Sequence, residues 1–88
     1  MDDFKSVVKQ STYKVDYGQI HLKLPEILQE HGLTRNRLAS LTGVKYEIID
    51  RYYKERIERV DMDLLAKICY VLNCQISDLL EYFPPQNS

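Results

Sequence analysis

Length and composition set the first bounds on this chain. Its 88 residues support one domain with one modest hydrophobic core, which leaves little room for two independent functions. The chain is 44% hydrophobic and 28% charged, as ordinary soluble globular proteins are. No apolar run approaches the ~20 residues that a membrane-spanning helix needs, and the acidic N-terminus contains no apolar export segment. We therefore expect a cytoplasmic protein that makes no contact with membranes.

Charge is distributed unevenly along the chain. Although the net charge is −1, residues 34–60 carry seven Lys and Arg against four Asp and Glu, a net charge of +3. Residues 61–88 carry one Lys against four Asp and Glu, a net charge of −3. Because positive charge attracts a polyanion, the basic middle is the segment in which nucleic-acid contacts are expected.

Apolar residues recur at helical spacing in five segments. Thr34 and Asp61 are good N-caps for the second and fourth segments, and Gly32 and Gly43 end the first two. Pro25 suits the first helical turn, where its missing N–H costs nothing. The predicted helices are Leu24–His31, Arg35–Thr42, Lys45–Lys54, Met62–Leu72 and Ile76–Tyr82.

Before the first helix, apolar and polar residues alternate instead. Tyr13–Tyr17 and Gln19–Leu22 both have the two-residue period of a strand, and Gly18 between them is compatible with a hairpin. The pattern therefore predicts an N-terminal extension or arm at residues 1–19, one helical domain at residues 20–83 and a flexible tail at residues 84–88.

Residues with catalytic or metal-binding chemistry are sparse. Cys69 and Cys74 are five residues apart, which is neither the Cys-x-x-Cys of a redox pair nor half of a familiar zinc site. We interpret both as reduced, packed side chains. No neighbouring Ser, Cys or carboxylate makes His21 or His31 a convincing catalytic base. We therefore expect no catalytic residue, no cofactor and no metal, and hence no enzyme.

The basic middle contains the parts of a helix-turn-helix. The predicted helices at residues 35–42 and 45–54 are joined by the short turn Gly43–Val44, and a tight Gly-containing turn between two helices defines this motif. Ala39 is small enough for the two helices to approach closely, and Val44 and Ile49 supply apolar contacts between them.

This stretch resembles the Cro and phage-repressor family of helix-turn-helix domains, the Xre-like group. Residues 32–44, GLTRNRLASLTGV, are similar to the family signature G-L-T-x-x-x-L-A-x-x-[TS]-G-V. Further on, LLAKIC at residues 64–69, LNC at 72–74 and DLL at 78–80 are similar to the fourth and fifth helices of that family. The resemblance covers about residues 20–82. It implies an all-α, compact five-helix, lambda-repressor-like domain, to which the N-terminal strand or arm is added.

The resemblance also implies a function and a set of contacts. The third helix of the family enters the major groove of double-stranded DNA, where some side chains contact bases and others contact phosphates. For Arg51, an ion pair with Glu47 or Glu55 at helical spacing is the alternative to a DNA contact. Carried over by position, the base contacts are Tyr46, Glu47 and Arg51, and the phosphate contacts are Arg35, Lys45, Lys54 and Arg56.

Three positions depart from the family pattern. Lys45 stands where Ser or Thr usually caps the third helix, so that cap is missing or is supplied by another group. Ile48 replaces a small polar residue and either touches a thymine methyl group or is buried. Tyr53 stands where the family often has a Glu in an internal ion pair, and the sequence names no replacement for that pair.

The sequence thus predicts a regulator of transcription, a repressor that binds double-stranded DNA sequence-specifically. Operators for this motif often contain two half-sites ~34 Å apart, which a two-fold dimer reads. Two segments are candidates for a homodimer interface, Tyr13–Leu22 and the apolar end at residues 79–83. The alternative is a protein-interaction module on the same fold, antitoxin-like or antirepressor-like, with a protein partner and weak or no DNA binding. The acidic ends of the chain favour that alternative.

Overall fold

The computed structural model describes residues 15–86, which form five helices and one two-stranded antiparallel sheet. No helix within this range is both long and apolar enough to cross a membrane. In chain order the elements are β1 (Gln19–Leu22), α1 (Leu24–His31), α2 (Arg35–Thr42), α3 (Tyr46–Tyr53), α4 (Met62–Leu72), α5 (Ile76–Leu79) and β2 (Leu80–Phe83).

Local signals in the sequence set the ends of the helices. The Thr34 hydroxyl accepts the N–H of Arg37 at 3.0 Å and caps α2, as predicted. The Asp61 carboxylate accepts the N–H of Asp63 at 2.9 Å and caps α4. Each cap satisfies an N–H that has no partner within its own helix. Because these signals are local, the predicted bounds of α1, α2 and α4 are confirmed.

One hydrophobic core joins the helices to the sheet. It contains thirteen buried residues, and the described residues include no buried polar or charged side chain. Burial of one Leu or Ile side chain contributes about 1.5–3 kcal/mol, so this core is the main stabilising element of the fold. The core residues are Leu22, Leu24, Ile27, Leu28, Leu38, Ala39, Ile49, Tyr52, Leu64, Leu65, Ile68, Leu72 and Leu79.

The sheet corrects two predictions. β1 pairs antiparallel with β2, in a register that sets Gln19 opposite Phe83 and Leu22 opposite Leu80. The predicted hairpin is therefore wrong: residues 15–17 are not a strand, while residues 13–14 lie outside the described range. The predicted fifth helix is too long, because Leu80 turns to extended backbone (φ −118°, ψ 141°) and residues 80–83 pair with β1. Alternation at residues 19–22 did indicate a strand, but its partner lies at the other end of the domain.

Gly18 serves this sheet rather than a hairpin turn. It has a φ of 85°, a left-handed conformation that glycine adopts most easily. A Cβ atom at this position would also collide with the backbone carbonyl oxygen of Phe83. The glycine therefore lets the chain enter β1 directly beside the end of β2. The division into extension, domain and tail stays a prediction, since residues 1–14 and 87–88 lie outside the described range.

Candidate nucleic-acid interface

The turn between α2 and α3 reverses the chain within residues 43–45. Gly43 takes a φ of 72°, and its N–H donates to the carbonyl oxygen of Ala39 at 2.9 Å. The N–H of Val44 donates to the same oxygen at 3.2 Å. Both hydrogen bonds are accepted by the Ala39 carbonyl oxygen and terminate α2. The left-handed conformation of Gly43 then turns the chain toward α3. α3 then begins at Tyr46, one residue later than predicted.

Lys45 lies at the N-cap of α3 and makes no side-chain cap hydrogen bond. This confirms that the usual Ser or Thr cap has no replacement in the Lys45 side chain. The start of α3 therefore leaves backbone N–H groups without a side-chain acceptor from Lys45, and such groups favour a nearby anion.

The inner face of α3 is fixed in the core. Ile49 and Tyr52 are buried, and they pack in one cluster with Leu38 and Ala39 of α2. The phenol of Tyr52 also accepts the N–H of Asp61 at 2.8 Å, which connects α3 to the start of α4. With this face buried, the helix can present only the opposite face to solvent.

The outer face of α3 carries the predicted contact residues. Lys45, Glu47 and Arg51 are exposed, and Tyr46 is 37% exposed. Ile48 is half-buried and packs against the core, so the burial predicted as one of two alternatives for this side chain is partial. We call Lys45, Tyr46, Glu47 and Arg51 the reading face.

Arg51 is not held by a neighbouring carboxylate. Four ion pairs occur among residues 15–86, and none of them contains Arg51. Glu55 lies near His21 instead, with 3.4 Å between Oε1 and Nδ1, and also accepts the N–H of Leu22. The alternative in which Arg51 pairs with Glu47 or Glu55 is therefore absent from this structure. No carboxylate in the described part of the chain therefore occupies the donors of its guanidinium.

Asp50 holds two of the predicted phosphate contacts. Arg35 donates from Nη1 to Oδ1 of Asp50 at 2.6 Å, and Nζ of Lys54 lies 3.1 Å from Oδ2. Each carboxylate oxygen thus has its own cation. Hydrogen bonding from Lys54, followed by that from Arg35 and the charges of both, holds the pKa of Asp50 below its ordinary value of 3.8 despite partial desolvation.

The Arg35 guanidinium is also stacked against aromatic rings. Its Cζ lies 4.2 Å from the centre of the Tyr53 ring and 6.0 Å from that of Tyr46. Cations over aromatic faces within ~6 Å are attracted by the ring quadrupole. α2 and α3 are therefore linked by Arg35, Asp50 and Tyr53. This link stands in place of the internal ion pair for which the sequence named no replacement.

This link changes the interpretation of Arg35. Its side chain is 33% exposed and is already occupied by Asp50 and Tyr53. Lys54 is 48% exposed and shares the same carboxylate. The phosphate contacts predicted for these two residues must therefore compete with, or add to, bonds inside the protein. Sequence reasoning missed Asp50, although its spacing of four from Lys54 was a visible signal.

A shallow groove runs beside the reading face. Arg51, Arg56 and Arg59 all line it, and the apolar side chains of Ile48 and Ile57 form part of its wall. The structure therefore brings Arg56, a predicted phosphate contact, to the same surface as Arg51, a predicted base contact. Arg59 joins them although it was not among the predicted site residues. We call the surface that these three arginines line the basic groove.

Metal chemistry has no visible basis at this surface. Within residues 15–86, no group of three or more His, Cys, Asp or Glu side chains is arranged to hold a metal ion.

The chain is similar to a curated protein and to two proteins of known structure. The chain is 32% identical over 71 residues to the SPbeta prophage-derived uncharacterized HTH-type transcriptional regulator YopS of Bacillus subtilis (strain 168). That alignment covers 78% of this chain and 90% of YopS. Two crystal structures share the fold with a TM-score of 0.64 each. One is a candidate DNA-binding protein from Bacteroides fragilis, 22% identical, covering 72% of this chain and 100% of the other. The second is the transcriptional regulator VanUg, 23% identical, covering 86% of this chain and 100% of the other.

A family model matches most of the chain. The model of the Cro/C1-type HTH DNA-binding domain matches residues 23–85, which include every helix described above. This chain therefore belongs to the Cro/C1-type helix-turn-helix DNA-binding domains.

Proposed function

We propose that this protein is a transcriptional regulator, a repressor, that binds double-stranded DNA sequence-specifically by inserting α3 into the major groove. One observation carries the proposal: Arg51 projects from an exposed helix face and forms no ion pair with any of residues 15–86, while Ile49 and Tyr52 fix the opposite face in the core. A rigid helix with unoccupied donors is what direct readout of base edges requires. Membership of the family favours a binding protein over an enzyme, and its site of action would be the cytoplasm.

Each residue of the reading face has chemistry suited to a base. Arg51 can donate two parallel hydrogen bonds to O6 and N7 of guanine, the commonest specific contact in the major groove. Glu47 can accept from N4 of cytosine, or it can orient Arg51. The Tyr46 ring offers an apolar surface to a thymine methyl group and a hydroxyl to a neighbouring phosphate.

Phosphate contacts would supply most of the affinity. Lys45 at the start of α3 and Arg56 in the loop after it are exposed, which supports both as phosphate contacts. Lys54 and Arg35 would also contact phosphates, and Asp50 orients both cations through its two ion pairs. Arg59 extends the same positive surface. Because each neutralised phosphate releases counterions, log K should fall with log [salt] by about 0.9 per phosphate contact.

The experiment is selection of bound duplexes from a random pool, repeated at two salt concentrations. The enriched site and a scrambled duplex are then titrated by fluorescence anisotropy. We expect one enriched sequence, tighter binding to it than to the scrambled duplex, and a loss of affinity at the higher salt concentration. Absence of any salt-dependent duplex binding would contradict the proposal. It would support the protein-interaction module instead.

We further propose that two copies of the chain read one operator. Ile20 and Tyr82 are opposite each other in the sheet and are 64% and 54% exposed. Since side chains alternate along a strand, they share a face with Leu22 and Leu80, which pack on the core. The two segments predicted separately as dimer interfaces thus each contribute one strand, Gln19–Leu22 and Leu80–Phe83, to the same sheet. This continuity supports a single apolar surface as the contact between copies.

Mass measurement by light scattering tests the homodimer, in the absence and in the presence of an operator with two half-sites. Ile20→Lys should shift the complex from two protein copies toward one. Tyr70→Lys is the matched control, because Tyr70 is 87% exposed on α4, away from the sheet. A variant with Ile20→Lys that assembles as the wild type does would exclude this surface.

A further inference from the structure

Cys69 and Cys74 lie at the two ends of one helix cap. α4 ends at Leu72, and Asn73 follows with a φ of 51°, the left-handed conformation that terminates many helices. The N–H of Cys74 donates to the carbonyl oxygen of Cys69 at 3.0 Å, and the N–H of Asn73 donates to that of Tyr70 at 3.3 Å. These two hydrogen bonds together define a Schellman motif, with Asn73 as its left-handed residue.

A Schellman motif brings two side chains together. The residue after the left-handed position commonly contacts the residue at the third position before the helix end, and this contact is usually hydrophobic. In this chain both positions are cysteine, and both side chains are half-buried. The spacing of five residues, which matched no familiar motif in the sequence, is thus the spacing at which this cap joins two side chains.

The surroundings of Cys74 show that the two thiols are neighbours. Burial, followed by the adjacent Cys69 thiol and then the charge of Asp78, raises the pKa of Cys74 to about 11. Cys74 is therefore protonated near neutral pH. No third metal-binding side chain joins the pair within the described part of the chain, so pair chemistry is the chemistry available to it.

We propose that Cys69 and Cys74 are a disulfide-forming pair, which closes an intramolecular bond across the C-terminal cap of α4 when the protein meets a disulfide oxidant such as oxidised glutathione. Disulfides join residues whose Cα atoms are about 4.4–6.8 Å apart. The N–H of Cys74 bonds directly to the carbonyl oxygen of Cys69, and this backbone contact brings the two Cα atoms into about that range without rearrangement of the helix.

The exchange proceeds in two balanced steps. The Cys69 thiolate attacks one sulfur of oxidised glutathione, which forms a mixed disulfide and releases one glutathione thiolate. Cys74 then gives its proton to solvent base and attacks Sγ of Cys69, which forms the Cys69–Cys74 bond and releases the second glutathione. Two protein thiols are oxidised, and one oxidised glutathione is reduced to two thiols.

The bond would fasten a junction between two helices. The carbonyl oxygen of Leu72, within the cap, lies 2.8 Å from Nε2 of His31 at the end of α1. A covalent link at the same turn would therefore hold the end of α4 in the position where α1 and α5 meet it. Amide protons of Asn73 and Cys74, which make the cap hydrogen bonds, should exchange more slowly after closure.

The test uses the full chain in glutathione buffers that range from reduced to oxidised. After acid quenching, free thiols are alkylated and the intact mass is measured. We expect the oxidised product to be a single chain, without a disulfide to a second copy, that has lost two hydrogen atoms and carries no glutathione. Its peptide map should show Cys69 linked to Cys74. Cys69→Ser and Cys74→Ser are matched controls, and each should retain one glutathione as a mixed disulfide.

A second measurement asks whether the fold causes the pairing. The same equilibrium is determined in a denaturing concentration of urea, where the cap is absent. We expect the equilibrium constant for closure to be at least about tenfold larger in the native protein. Mixed disulfides or disulfide-linked dimers as the main native products, or an equilibrium constant that urea leaves unchanged or raises, would overturn the proposal.

Discussion

Arg35 and Asp50 join the first residue of α2 to the middle of α3 through a hydrogen bond of 2.6 Å between Nη1 and Oδ1. α2 and α3 are therefore connected by an ion pair as well as by the apolar contacts of Ala39 and Ile49. Tyr53 extends the link, because its ring packs under the same guanidinium. Arg35 therefore serves first to orient α3.

Replacement of Arg51 by Ala should weaken binding to the selected operator by about 1–3 kcal/mol, with a much smaller loss on a scrambled duplex. The reason is that a guanine contact contributes only at the correct base. Anisotropy titrations on both duplexes measure the difference. Lys67→Ala is the control for lost charge, since Lys67 is exposed on α4. Equal losses on the two duplexes would make Arg51 a phosphate contact.

Stability should depend on the ionisation of Asp50 at acid pH. Since the folded pKa of Asp50 lies below 3.8, its contribution is complete above 3.8 and is lost as pH falls through the folded value. We expect Asp50→Asn to be less stable than the wild type above pH 3.8, with a difference that shrinks below it. Urea denaturation at a series of pH values measures this. A difference that grows toward lower pH would contradict the ion pairs.

The stacked geometry of Arg35 should make Lys a poor substitute. Arg35→Lys keeps the charge but loses the planar group that lies over Tyr53, and we expect a loss of about 0.5–1 kcal/mol in unfolding free energy. A double-mutant cycle with Tyr53→Leu isolates the contact. With Arg at position 35, Tyr53→Leu should lower the unfolding free energy mainly through loss of the contact with Arg35. With Lys at position 35, the same change should lower it much less. Purely additive effects would argue that the two side chains do not interact.

His31 should stabilise the junction between α1 and α4. Its Nδ1 lies 2.9 Å from the carbonyl oxygen of Ile27, and its Nε2 lies 2.8 Å from that of Leu72. The Leu72 carbonyl is at the end of α4, where it lacks a partner in its own helix. His31→Ala should therefore lower the unfolding free energy by about 1–2 kcal/mol. Gln29→Ala changes an exposed residue on the same helix and should lower the unfolding free energy far less. Equal losses for the two variants would show that the contacts of His31 do not stabilise the fold.

The helices could be predicted because their signals are local. Thr34, Gly43 and Asp61 act on backbone groups within a few residues, so the bounds of α2 and the start of α4 were visible in the sequence. The partner of β1 was not, because alternation in residues 19–22 is the same whether the second strand precedes or follows it. Leu22 and its partner Leu80 are 58 positions apart in the sequence, and only the packing of the helices between them brings the two strands together.

The same contrast applies to the candidate site. Helical periodicity was enough to indicate that Glu47 and Arg51 share an exposed face, while Ile49 and Tyr52 are buried. Asp50 was missed because its role depends on Arg35, fifteen residues earlier, and that distance closes only when α2 packs on α3. The roles of individual residues toward DNA stay predictions, since exposure shows what a side chain can reach and not what it binds.

Pairing of β1 with β2 has a consequence for synthesis of the chain. The ribosome releases β1 first and β2 last, so the helices between them can assemble before the sheet exists. Leu22 then waits for its opposite residue, Leu80, until nearly the whole domain has emerged. A nascent chain interrupted anywhere before residue 80 would keep an unpaired strand edge, which neighbouring polypeptides or proteases could engage. Synthesis of β2 is thus the event that closes the sheet of this domain.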